Sequence, residues 1–269
     1  MKVFVFDASI CNGCYNCQIA CKDEHVANDW TPYAKPQPET GQFWLKLREH
    51  VRGTVPKVKV TYIAEMCNHC RDAPCIPSCP VDAIYRRADG LVIIDPTTCT
   101  GCKSCVDACP YGAIYWNDGL NIAQKCTGCA HLIDSGWKEP RCVDACPTLA
   151  LRFMEESEAK AQGLLKNAEY PLPRRRAKDK PQVHYLNLPK RFIAGTVYDP
   201  IEKEVIVGAS VTLTDGKNNY HAETDGFGDF WFEKLNVGRF DLVIKSNGKS
   251  REFKAVSTEN DVNLGDIPL

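Results

Sequence analysis

The sequence has no cysteine after Cys146, no surplus of either charge, and no apolar run near the ~20 residues that span a bilayer. Lys and Arg number 33 against 34 Asp and Glu, so no field of one sign dominates and nucleic acid is not an expected partner. The first residues, Met1-Lys2-Val3-Phe4-Val5-Phe6-Asp7, alternate like a short strand. They hold no long apolar core, no twin arginine and no small-residue cleavage site, so neither a signal peptide nor a membrane span is expected in this chain. Hydrophobic content of 44% and charged content of 25% are ordinary for a folded chain and exclude a disordered or fibrous one. The 269 residues suffice for about two domains.

The sixteen cysteines all lie between Cys11 and Cys146. They form four groups with none left over. Cys11, Cys14, Cys17 and Cys21 are spaced x2-x2-x3, and Cys67, Cys70, Cys75 and Cys79 are spaced x2-x4-x3. Cys99, Cys102, Cys105 and Cys109 repeat x2-x2-x3, and Cys126, Cys129, Cys142 and Cys146 are spaced x2-x12-x3. A disulfide framework would spread its bridges through the chain. Zinc also uses C-x2-C pairs, but four complete three-plus-one groups match zinc ribbons poorly. Attached haem needs a histidine after C-x-x-C. The residues there are Tyr15, Arg71, Lys103 and Ala130.

C-x2-C-x2-C-x3-C-P is the bacterial ferredoxin pattern for [4Fe–4S] clusters. Three close cysteines on a curled loop reach one cube, and the fourth reaches the neighbouring cube. Pro80, Pro110 and Pro147 follow the fourth cysteine in three groups, whereas Lys22 follows Cys21. The crossed rule predicts Cys67, Cys70, Cys75 with Cys109, and Cys99, Cys102, Cys105 with Cys79. By elimination, the outer groups give Cys11, Cys14, Cys17 with Cys146, and Cys126, Cys129, Cys142 with Cys21. Four clusters on iron through these sixteen cysteines are expected, and no catalytic residue.

The predicted class is α+β. Residues 1–154 form two ferredoxin-like units, with an insertion at 22–66. Cys79-Pro80 to Tyr85, Cys109-Pro110 to Tyr115 and Cys146-Pro147 to Leu151 repeat as a cluster turn followed by a short strand. Leu91–Ile94 reads as another strand. The insertion carries Trp30, Tyr33, Phe43 and Trp44, to be packed over the outer clusters or to dock a partner. His69 and His131 lie near cluster cysteines, either simply packed or tuning them by hydrogen bonds.

Residues 155–192 read as a short amphipathic helix, Glu155 to about Glu169, and an arm. Its stretch Pro171–Pro181, rich in proline and basic residues, suits a solvated linker or an acidic-partner contact. Residues 193–269 read as seven strands of a sandwich or barrel, of transthyretin or immunoglobulin type. The strands fall near Ile193–Tyr198, Val205–Thr214, Tyr220–Thr224, Asp229–Leu235, Arg239–Lys245, Ser250–Ala255 and Val262–Asp266. Phe230, Phe232, Phe240, Leu242 and Ile244 form one buried face. Gly226-Phe227-Gly228 lacks the context of a dinucleotide site. A docking or stabilising module is expected.

Several motifs carry a family resemblance: Cys67-Asn68-His69-Cys70 with Ala73-Pro74-Cys75, Cys109-Pro110-Tyr111-Gly112, and Lys125-Cys126-Thr127-Gly128-Cys129. With the order of the four groups, they resemble the iron–sulfur subunits of the dimethyl sulfoxide reductase family of molybdenum enzymes, over about residues 1–190. The crossed outer pairing is usual in that family. The tail, with Tyr115-Trp116-Asn117, Ala123-Gln124-Lys125-Cys126 and Ala130-His131-Leu132, is similar to the small subunits of pyrogallol–phloroglucinol transhydroxylases and their anaerobic polyphenol relatives. The resemblance implies an electron-transfer subunit, not an enzyme on its own. It implies a large partner with molybdenum on two molybdopterin guanine dinucleotides, and leaves room for an external redox protein. Transhydroxylase small subunits lack a complete third group and hold three clusters, whereas this chain keeps Cys99, Cys102, Cys105 and Cys109. The expectation is therefore a net redox reaction on a polyphenol, such as dehydroxylation or hydroxylation. The alternative is a freely diffusing polyferredoxin. Reduced cysteines point to the cytoplasm, although a twin-arginine-bearing partner could export the folded pair.

Overall fold

The computed structural model describes residues 1–166, 168–169 and 177–269. These divide into two compact units, Met1–Glu49 with Tyr62–Leu188, and His50–Thr61 with Pro189–Leu269.

In the first unit β1 (Lys2–Asp7) precedes α1 (Asn16–Val26), followed by a two-stranded hairpin of β2 (Leu45–Thr54) and β3 (Lys57–Met66). Then come β4 (Ile84–Arg86), β5 (Val92–Ile94), α2 (Ser104–Ala108), β6 (Tyr115–Asn117) and β7 (Ile122–Gln124). Next are α3 (Ala130–Asp134), α4 (Arg141–Asp144), β8 (Leu151–Glu155), α5 (Glu156–Ala161) and β9 (Val183–Leu186). β4 pairs with β5 and β6 with β7, each antiparallel, so a short strand follows the fourth cysteine in the second, third and fourth groups.

β1 is the middle strand between antiparallel β8 and parallel β9. Neither of its sides faces water. Val3 and Val5 pack against Ala159 and Leu165, while Phe4 and Phe6 enter the main core with Phe153 and Tyr185. Both faces are covered, as for a strand at the centre of a layered sheet. Complete burial of such side chains contributes about 1.5–3 kcal/mol each.

The insertion is more regular than its composition suggests. α1 runs through Cys21 to Val26, so no proline is needed to turn the chain after that cysteine. Lys22 instead donates to the carbonyls of Pro38 and Gly41, the latter at 3.0 Å, and holds the following loop. The expected helix after Glu155 is limited to α5. Of the predicted arm, residues 170–176 lie outside the described residues. Its end is no solvated linker: Asp179 is buried, and the carbonyls of Asp179 and Lys180 accept from Asp72 N and Arg71 N at 3.2 and 2.9 Å.

The second unit holds β10 (Arg191–Asp199), β11 (Glu204–Val205), β12 (Ser210–Thr214), β13 (Asn219–Glu223), β14 (Asp229–Leu235), β15 (Arg239–Ser246), β16 (Lys249–Ser257) and β17 (Val262–Pro268). One four-stranded sheet joins β10 to β11, β14 and β17, and the other has the order β13-β12-β15-β16. The predicted strand Val205–Thr214 is two strands, because the chain turns at Gly208 with φ +72°. Phe230 and Phe232 come from one sheet, and Phe240, Leu242 and Ile244 from the other. All five meet in one core with Val211 and Leu213.

The hairpin tip, His50–Thr61, belongs to this second unit. The buried Lys57 ammonium pairs with Asp229, and Arg52 with Asp261 at 3.2 Å. Lys59 lies 4.7 Å from the Trp231 ring centre. A Cβ at Gly53 would fall 2.3 Å from the Lys57 carbonyl oxygen, which requires the glycine and its φ of +87°.

Candidate metal centres

Each cysteine group curls its loop by the same backbone device. The residue before the second cysteine is left-handed in all four: Gly13 (φ +73°), His69 (+42°), Gly101 (+77°) and Gly128 (+65°). A side chain there costs about 1–2 kcal/mol, which explains three glycines. Such turns aim backbone N–H groups inward to form a nest for negative charge. Gly128 N donates to Cys126 Sγ at 3.4 Å. Two of the fourth cysteines gain similar donors: Ala113 N reaches Cys109 Sγ and Leu151 N reaches Cys146 Sγ, both at 3.5 Å. Helices α1, α2 and α3 begin one or two residues after the second cysteine, and α1 and α2 carry Cys17 and Cys105 near their starts.

Folding brings distant cysteines together. One cavity is lined by Cys67, Cys70, Cys75 and Cys109, and another by Cys79, Cys99, Cys102 and Cys105. Burial, then the charges of Cys146, Cys11 and Cys14, push the Cys17 thiol up to about 12. Burial, with Cys126 and Cys129 facing it, likewise drives Cys21 well up. Cys142 is driven up by burial and by Cys129, Cys21 and Cys126. In each set three cysteines from one group meet the fourth cysteine of another.

None of the sixteen cysteines is joined in a disulfide. Thiols that burial and mutual repulsion keep protonated become thiolates when a cation neutralises them. No three His, Cys, Asp or Glu side chains among the described residues converge closely enough to hold a single ion. The thiols of two sets line cavities, as a polynuclear cluster requires.

Comparisons with known proteins agree with this chemistry. Residues 58–156 match the 4Fe-4S dicluster domain model, and residues 8–28 the 4Fe-4S binding domain model. Residues 193–269 match the carboxypeptidase regulatory-like domain model. The pyrogallol hydroxytransferase small subunit of Pelobacter acidigallici is 35% identical over 98% of this chain and 98% of its own length. A polypeptide of the anaerobic dimethyl sulfoxide reductase of Escherichia coli (strain K12) is 36% identical over 64% of this chain and 82% of its own length. The protein belongs to this family of iron–sulfur subunits. A third relative, the arsenate respiratory reductase iron–sulfur subunit of Shewanella sp. (strain ANA-3), is 31% identical over 60% of this chain and 86% of its own length. As a member, the chain binds [4Fe–4S] clusters and transfers electrons. No helix among the described residues is long and apolar enough to cross a membrane.

Around the cysteines of this family member lies a shell of buried polar groups. His25, 1% exposed, places Nε2 3.9 Å from Cys129 Sγ, and its ring packs on Trp44 at 4.6 Å. Burial and His131 push its pKa down to about 3, so the ring is neutral. Sequence reasoning missed His25. The available signal is its spacing: it lies four residues after Cys21 on α1 and shares its face. His131 bonds Glu24 at 2.9 Å and stacks on Trp30 at 4.2 Å. His69 Nδ1 accepts from Val92 N at 3.0 Å. Trp30 and Trp44 are therefore packing residues beside the fourth group. Tyr33 bonds Asp134, and Phe43 carries the Lys22 ammonium 5.5 Å from its ring centre. Lys125 is also buried, donating to the carbonyl oxygens of Val92 and Cys126, the latter at 2.9 Å.

Proposed function

We propose that this chain holds four [4Fe–4S] clusters and carries electrons between a molybdenum catalytic subunit and an external redox partner. The ligand sets are Cys11, Cys14, Cys17, Cys146; Cys67, Cys70, Cys75, Cys109; Cys99, Cys102, Cys105, Cys79; and Cys126, Cys129, Cys142, Cys21. Each cluster, when bound, takes up and returns one electron. The chain fixes the clusters in a row, supplies N–H donors to their sulfurs, and excludes water from the inner ones.

The order of the row follows from which thiols face each other. Cys21 feels Cys17, Cys126 feels Cys67, and Cys75 feels Cys105. The first set therefore leads to the fourth, then the second, then the third. The two ends carry the exposed cysteines, Cys14 and Cys102. Ile10 and Leu149, on loops of the first set, and Ile19, on α1, stand exposed and suit a permanent protein interface.

The partner is a large subunit with molybdenum on two molybdopterin guanine dinucleotides, and the substrate is a polyphenol. Two of the relatives are parts of reductases by name, and the one that spans the whole chain acts on pyrogallol by name. Moving a hydroxyl between aromatics leaves no net electrons. The observation that carries a net redox reaction is the complete third set, whose four thiols line one cavity. The bond chemistry, a dehydroxylation or hydroxylation, belongs to the partner. The pair works in the cytoplasm unless the partner bears a twin-arginine signal.

The test is metal analysis of the anaerobically purified native complex. We expect about sixteen irons per copy of this protein, from four cubes of four, with molybdenum in a large companion. Roughly twelve irons would return the reading to transhydroxylation. Iron with no molybdenum or tungsten companion would make the protein a polyferredoxin.

A further inference from the structure

Lys125 is 2% exposed and has no carboxylate within ion-pair distance among the described residues. Its ammonium bonds only to two backbone carbonyls among them, of Val92 and Cys126. A buried charge without a counter-charge is expensive, and buried lysines in folded proteins are paired. The missing partner is identified by position. Lys125 lines the cavity of Cys67, Cys70, Cys75 and Cys109, and one residue later the sequence supplies Cys126 to the fourth set. An anion is therefore expected on both sides of it. Iron cubes held by four thiolates are such anions.

We propose that Lys125 is the shared counter-ion of the clusters at the second and fourth cysteine sets, and that it raises both potentials relative to the two end clusters. This rests on the ligand sets proposed above. The physical basis is simple. Reduction adds a negative charge to a buried site, and a fixed positive charge nearby favours the reduced form most where water is excluded. The two inner stations of the row then hold an electron more readily than the ends. Lys125 acts through the clusters' electrostatics and touches no substrate.

The experiment is potentiometric titration, followed by electron paramagnetic resonance, of the native complex carrying Lys125→Met, Lys125→Gln or Lys125→Arg. Iron content is measured on every sample, so that failure of the ligand sets shows as a wild-type count other than about sixteen. In the Met and Gln variants two of the four potentials should fall, each by about tenfold or more in the reduction equilibrium, which is 59 mV for a one-electron couple. The other two should stay, and Arg should restore the wild-type values. Gln keeps hydrogen bonds to the carbonyls, so it separates charge from a merely structural clamp. Iron loss from Met and Gln but not from Arg also supports the counter-ion, because only charge distinguishes them. Unchanged potentials with full iron, an equal shift of all four, or iron loss from all three variants would overturn it.

Discussion

His25 Nε2 lies 3.9 Å from Cys129 Sγ, and its Nδ1 is buried with no hydrogen-bond partner among the described residues. A neutral imidazole carries one ring proton, and the only acceptor that these residues set against either nitrogen is that sulfur. The tautomer with hydrogen on Nε2 follows, donating to a cluster ligand, as outer-shell groups commonly do. Donation to a thiolate stabilises the more negative, reduced cluster. His25→Phe should lower the potential of one cluster by about 30 to 60 mV, a threefold to tenfold change for one electron. His25→Gln should recover part of it. Redox titration of the two variants decides; a shared shift of every cluster would mean a general loosening instead.

Gly128 shows how tightly the loop between Cys126 and Cys129 is built. Its φ is +65°, and an added Cβ would lie 2.7 Å from Leu91 Cδ2. Gly128→Ala combines backbone strain of about 1–2 kcal/mol with a displaced core leucine. Gly112, at φ +59°, has no atom of the described residues within 4 Å of such a Cβ, so Gly112→Ala isolates the strain. The Gly128 variant should lose iron faster on chelator challenge than the Gly112 variant. Equal rates would show that Leu91 yields freely.

Much of this was legible in the cysteine spacing, because a cluster loop is a local object. Its ligands lie close together in sequence in three of the groups, glycine stands at the forced turn in all but the second, and the paired strands of the tail alternate in and out as strands do. Two kinds of feature were not legible. The hairpin tip inverts the usual pattern: Lys57 is buried while Val51 and Val60 are exposed, so its hydrophobicity argues against the face it buries. His25 and Lys125 acquire meaning only from what folding sets beside them. His25 is one polar residue on a short helix, and Lys125 follows the buried strand β7. No spacing rule connects Lys125 to Cys67 or Cys75.

The Lys57–Asp229 pair anchors the hairpin tip within the second unit, with side-chain exposures of 6% and 23%. Removing one partner leaves a buried charge, so Lys57→Met should cost about 3–5 kcal/mol. Lys59 and Glu233, 40% and 46% exposed, form the control pair. Lys59→Met should cost about 1 kcal/mol or less. Denaturant titration followed by fluorescence of Trp231, isolated by replacing the other tryptophans with Phe, measures both. Restoration of stability by adding Asp229→Leu to Lys57→Met would confirm that the lone charge, not lost packing, carries the cost.

The crossed outer sets make a quantitative prediction through non-additivity. If Cys21 serves the same cube as Cys126, Cys129 and Cys142, then Cys21→Ala and Cys142→Ala each remove one cluster, and it is the same cluster. The single variants and their double should all hold about twelve irons per molecule, roughly four fewer than the parent. Cys21→Ala with Cys17→Ala strikes two different cubes and should leave about eight. An uncrossed arrangement reverses the pattern, giving about eight for the first double and about twelve for the second. Because the fourth set is the second station of the proposed row, Cys21→Ala should also interrupt transfer between the first cluster and the others. Rapid-mixing reduction by a donor at the Cys102 end should then fill the second and third clusters and leave the first oxidised. Filling of the first at the parent rate would show that the row runs in another order.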